Sequence, residues 1–277
     1  MDSRFPDMST EPVAVRRIKN RPPGLLVGLA AIGIALFVLP LVGLVARAPW
    51  SRLLDLLSTA FVVDALRLSL LTSLMAAAVS GLVGVPLAWV IARMSFRGRS
   101  LVTAIVTLPL VLPPVVGGAA LLFALGRRGL IGEPLNDATG ILLPFSIWGV
   151  VVANVFVAMP FLVITVEGAL HNLDRRFEDA AASLGGSRWT VLRRITLPMI
   201  GPSIVAGLVL SWARAFGEFG ATITFAGSLQ GRTQTLPLAV FVALERDRDM
   251  AVAMSLLMVA VSLVVLVALR DRWWRTL

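Results

Sequence analysis

Six long apolar stretches alternate with short polar connections, at residues 25–46, 68–92, 101–125, 141–166, 199–223 and 250–269. Each is near the length of about 20 residues that an α-helix needs, at 1.5 Å per residue, to cross a hydrocarbon layer roughly 30 Å thick. A lone strand in such a layer leaves its backbone N–H and C=O groups unpaired, so the pattern predicts helices and an all-α membrane protein with six transmembrane helices. The first stretch ends at Ala46-Arg47-Ala48, which mimics a small-residue cleavage site. Its apolar run exceeds the roughly 7–15 residues of a secretory signal, so an uncleaved span is expected. The third carries Pro109, Pro113 and Pro114 with Gly117 and Gly118. It is expected to break or kink, either to line a cavity with freed backbone groups or simply to pack. Thr235–Leu244 is apolar over ten residues only, which predicts a re-entrant or interfacial helix on the outer side.

Composition strengthens this picture. Hydrophobic residues make up 57% and charged residues 15% of the 277-residue chain, with a mean hydropathy of +0.88. Soluble globular domains carry about 25% charged residues, so a cytosolic enzyme, a disordered tail and a fibrous repeat are excluded. The net charge of +9 does not form a nucleic-acid face, because its arginines lie in short clusters between apolar stretches. These clusters act as topology signals. With the amino terminus inside, inner segments collect sixteen Lys and Arg residues and outer loops eight, placing both termini in the cytoplasm. Residues 1–22 read as a mobile cytoplasmic tail. The absence of Cys and the single His171 leave no thiolate or multi-histidine metal site, and no catalytic residue is expected.

The long inner loop, residues 167–198, is the most informative segment. Glu178-Asp179-Ala180-Ala181-Ala182-Ser183-Leu184-Gly185 predicts a short helix from about Phe177. Its acidic start suits the helix dipole, and Gly185-Gly186 can end it in a left-handed conformation. Phe177, Ala181 and Leu184 form a narrow apolar stripe. Such a helix either lies on the membrane surface or fits a groove on a partner.

Asp179-Ala180-Ala181, three residues, Gly185, nine residues and Ile195-x-Leu197-Pro198 resemble the loop signature of ATP-binding-cassette (ABC) importer permeases, with Asp179 where the pattern has Glu. Glu178 precedes it with the longer carboxylate. Over roughly residues 60–270 the chain is similar to the molybdate permeases, and to sulfate and thiosulfate permeases in the same regions. The segments that carry this likeness are Leu108–Gly117, Gly126–Gly129, Arg214–Thr222 and Thr233–Leu238. The resemblance implies a type I importer permease core working as a homodimer in the bacterial inner membrane. It further implies two cytoplasmic ATPase subunits that hold ATP and Mg, and an external molybdate-binding protein. The loop helix is then the coupling helix, with Glu178, Asp179, Ala180, Ala181, Gly185, Ile195, Leu197 and Pro198 as coupling residues. The one lysine, Lys19, lies outside any P-loop pattern, so the chain is expected to hold no nucleotide or other cofactor itself.

Ionisable groups within a span are costly and are functional candidates. Arg214 and Glu218 are four residues apart and are expected to share a helix face and pair. They would lie about 22 and 28 Å along the fifth span from Met199. Either they line or gate an anion pathway, or the pair fixes helix packing. Asn154, Thr222, Pro113 and Pro114 complete the pathway candidates, with Asn154 also suited to bond a neighbouring helix. His171 is expected to be solvated.

Overall fold

The computed structural model describes residues 24–273. The expected tail at 1–22 lies outside the described residues. Helix α1, Gly24–Ala46, forms one unit and is apolar on every side. The second unit starts at Arg47 and holds α2 (Leu53–Leu57), α3 (Ala60–Arg93), α4 (Arg99–Thr107), α5 (Pro114–Leu125), α6 (Gly132–Thr139) and α7 (Ile147–Asn172). There follow α8 (Arg176–Ser183), α9 (Arg188–Val191), α10 (Leu197–Phe216), α11 (Gly220–Phe225), α12 (Leu236–Arg246) and α13 (Arg248–Trp273). No strand occurs among the described residues.

Among the described residues, five helices are long and apolar enough to cross a membrane, and the α4–α5 pair makes a sixth crossing if the two halves act as one span. That third stretch is not one helix. Leu108–Leu110 winds as a 3-10 turn, and the chain bends by 117° between the two halves. Pro113 and Pro114 bring no N–H to continue the ladder. Two further expected spans need correction. The fourth stretch was expected from Ile141, but α7 starts at Ile147, after Pro144 and the left-handed Phe145 (φ 57°). There the Ser146 hydroxyl caps it by accepting the Gly149 N–H at 3.1 Å. The fifth was expected to run to Ile223, but α10 stops at Phe216 and a separate α11 follows. Gly217 favours the stop, and Glu218 turns back to serve the next helix. The short apolar segment near 235–244 is the helix α12.

Between apolar helices size, rather than polarity, decides which face is buried, because small residues let backbones approach. The buried stripe of α3 reads Ala65, Ser69, Thr72, Ala76, Ser80, Gly84, Ala88 and Ala92. α3 packs there on α7 and α10. At one end Ala88, Ile91 and Ala92 meet Leu162, Val163, Val166 and Leu170 of α7 and Ile200 of α10. At the other, Val62 and Ala65 join Trp212 and Phe216 of α10, Leu236 and Ala239 of α12, and Ala251 and Met254 of α13.

α5 lies against α11 almost backbone to backbone. A Cβ on Gly118 would stand 2.7 Å from the Ala221 carbonyl oxygen, and one on Gly220 2.8 Å from Pro114 Cβ. Gly118→Ala is therefore expected to cost about 1–3 kcal/mol through overpacking. A lower unfolding midpoint of the purified protein in detergent checks this.

Candidate functional site

The loop signature folds as two joined pieces. In α8, Asp174 accepts the Arg176 N–H at 3.0 Å and so opens the helix. Its end is a complete Schellman turn. Gly185, at φ 84°, sends its N–H to Ala182 O, and the Gly186 N–H reaches Ala181 O, both at 3.0 Å. The φ requirement explains a glycine at 185. α8 buries no residue, and its apolar positions Phe177 and Leu184 are 53% and 90% exposed. Asp179 and Ala180 are exposed beside them.

The two neighbouring carboxylates differ. Asp179 is exposed at the rim of the cleft beside α3 and makes no side-chain bond among the described residues, whereas Glu178 is partly buried and bonded. Its Oε1 accepts the Thr196 hydroxyl at 2.6 Å, and its Oε2 lies 3.2 Å from Arg93 Nη2 at the end of α3. Ile195 and Thr196 belong to a π-helical turn, Leu192–Thr196, that leads into α10. Leu197 and Pro198 form the first turn of α10, where the missing proline N–H costs nothing. Glu178 thus joins the two halves of the signature across its nine-residue spacer. Arg93 and Thr196 were not among the residues singled out from sequence. Arg93 is only one of several span-end arginines, and Thr196 fills the free position of the I-x-L-P pattern.

The second candidate cluster lies at the other end of α10, about 30 Å away by the length of that helix. Arg214 pairs with Glu218, whose side chain is 1% exposed. The two do not share a helix face, because α10 ends between them. The reason is that the second Glu218 oxygen accepts the Ala221 N–H at 2.7 Å, which caps α11. Thr222 of α11 faces Asn154 of α7, hydroxyl to Oδ1, at 3.5 Å with both buried. Pro113 and Pro114 are both exposed at the break, with Pro114 also close against Gly220. The pathway candidates therefore gather at one junction of α5, α7, α10 and α11. There the ion pair and Asn154 hold broken helices together. His171 is exposed but not merely solvated: Nε2 lies 3.2 Å from Arg99 Nη2 and Nδ1 2.9 Å from Glu167 O.

Residues 84–274 match the family model of the binding-protein-dependent transport system inner membrane component. The chain is 46% identical over 243 residues to the molybdenum transport system permease protein ModB of Mycobacterium tuberculosis, covering 88% of this chain and 92% of that one. It is 35% identical over 235 residues to the sulfate transport system permease protein CysT of Escherichia coli, with 83% and 84% covered. A solved structure, that of a bacterial alginate ABC transporter in complex with an alginate pentasaccharide-bound periplasmic protein, contains a chain of the same fold. Its TM-score is 0.72 at 21% identity, and it covers 88% of this chain and 92% of that chain. The chain belongs to the family of binding-protein-dependent transport system inner membrane components, and is a multi-pass membrane protein with the ABC importer permease fold.

Breaking a buried ion pair by removing one partner is costly, whereas removing both charges is not. Arg214→Met is expected to destabilise the protein by about 3–5 kcal/mol. Adding Glu218→Gln should recover more than half of that loss, since the amide still accepts the Ala221 N–H without a charge. Denaturant unfolding in detergent measures both.

Proposed function

We propose that this chain is the permease subunit of an ATP-driven importer that moves a tetrahedral oxyanion, molybdate or tungstate, across the cytoplasmic membrane. The observation that carries the reading is the 46% identity to a molybdenum permease over nearly the full length of both chains. In this reading the working pore is a homodimer with all termini in the cytoplasm. Two ATPase subunits, holding ATP and Mg, dock on the pair of α8 helices, and an external binding protein delivers the anion. The exposed surface of α8, with Phe177, Asp179, Ala180 and Leu184, is the docking surface. Its exposed apolar positions and its lack of buried residues fit a surface that is completed by a partner. Closure of the ATPase pair moves the two α8 helices and switches the pore from inward-open to outward-open, and hydrolysis returns it.

Arg214, Glu218, Asn154, Thr222, Pro113 and Pro114 border the pathway in this reading. The Arg214 charge is already answered by Glu218, which leaves a weakly polar route and no tight anion site. Weak binding in the pore favours release, and the external receptor then sets selectivity. Sulfate is the alternative cargo, favoured by the likeness to a sulfate permease.

Reversing both carboxylates, Glu178→Lys with Asp179→Lys, is expected to abolish uptake and stimulation of the partner ATPase while the chain still inserts. Uptake that survives the double change would remove the docking assignment. In liposomes holding the co-purified complex, molybdate-loaded receptor should stimulate ATP hydrolysis more than sulfate-loaded receptor. The reverse order makes sulfate the cargo. Uptake driven by a proton gradient without ATP would place the protein among ion-coupled carriers instead.

A further inference from the structure

If α8 receives force from outside, that force must reach the membrane helices through very few atoms. α8 buries no residue, and Phe177 and Leu184 stay exposed. Between α8 and the ends of α3 and α10 lies a cleft of about 440 Å³, bordered by Trp89, Arg93, Arg175, Arg188 and Thr196, rather than a packed core. One side chain bridges it. Glu178 holds Arg93 with one oxygen and Thr196 with the other.

The placement of these three groups suits a mechanical joint. Arg93 is the last residue of α3 and Glu178 lies in the first turn of α8, so each charge sits at the helix end whose dipole favours it. Side chains of the pair are only 9% and 18% exposed, which weakens screening by solvent and salt. Arg93 Nε and Nη2 are both buried with no hydrogen-bond acceptor among the described residues, so the approach of Glu178 Oε2 to 3.2 Å answers this charge as an ion pair. Thr196 is buried at 1% exposure and stands directly before α10. The π turn that carries it holds one residue more than a regular turn. Both gripped helices pack on α7, so a displacement of Glu178 acts on the α3–α7–α10 core together.

We infer that Arg93 and Thr196 are positioning residues which, through Glu178, form the joint that transmits motion of α8 to α3 and α10. The inference rests on the importer reading above and adds a force path within the chain, distinct from the docking face.

The test uses liposomes with the whole complex of this chain, its ATPase partner and the binding protein. It reads molybdate delivered per ATP hydrolysed. Wild-type complex without ATP-dependent uptake of either anion would defeat the importer reading itself; should sulfate be the anion carried, it replaces molybdate as the probe. With wild type working, Thr196→Val, which keeps the shape and removes the hydroxyl, should lower the ratio about tenfold, the worth of one hydrogen bond to a charged group. Thr196→Ser should stay near wild type. Arg93→Glu should lower the ratio by about tenfold or more, because two carboxylates then face each other. Adding Glu178→Arg should restore most of it. A purely structural role would reduce the amount of assembled complex without changing the ratio. The joint is overturned if Thr196→Val matches Thr196→Ser, or if the charge swap is no better than Arg93→Glu alone. Should the swapped complex fail to assemble, the Val and Ser pair decides.

Discussion

In an apolar layer a helix has to satisfy its backbone from within the chain, and every interruption of a helix leaves groups for some side chain to answer. The architecture follows from where these interruptions fall. α10 stops at Phe216, and the buried Glu218 carboxylate takes up the Ala221 N–H in the first turn of α11 while Arg214 answers its charge. The first N–H of α12 is met by the Ser69 hydroxyl of α3 at 2.6 Å. Where the third stretch bends at Pro113 and Pro114, glycines at 117, 118 and 220 let the half-helices press against α7 and α11. Two buried polar side chains, Glu218 and Ser69, thus serve the starts of broken helices. This gives the Arg214–Glu218 pair a structural reason to exist whatever passes beside it.

The loop at 167–198 follows the opposite logic. A helix of eight residues that buries nothing gains little from the hydrophobic effect and is too short to stand alone. Its order comes from local bonds: the Asp174 cap, the Schellman turn at Gly185, and the grip of Glu178 on Arg93 and Thr196. Such a helix keeps its shape while its outward surface stays free. A docking element in a moving assembly needs both properties. The adjacent carboxylates differ in what they touch, Asp179 exposed and Glu178 held by Arg93 and Thr196, although their types are nearly the same.

Hydropathy was a poor guide to which face of each helix is buried. Along most of their length α3 and α7 carry no charged face, and the hydroxyls of α3 lie on its buried side, so no polar face marks the lipid side. The small-residue stripe from Ala65 to Ala92 carried that information in a different alphabet, the size of the side chain. It is legible once size is read instead of polarity.

Sequence alone determined that the chain is helical and membrane-embedded, that a break lies at the paired prolines, and that a capped acidic helix precedes Gly185. These are local consequences of apolar length, missing N–H groups and backbone φ. Tertiary structure decided which of two neighbouring carboxylates is anchored, that α10 ends before Glu218, and that Asn154 meets Thr222 across 68 positions. It also selected Arg93 from many span-end arginines. Those outcomes depend on which helix ends meet in space, and a contact between distant residues leaves no periodic trace along the chain.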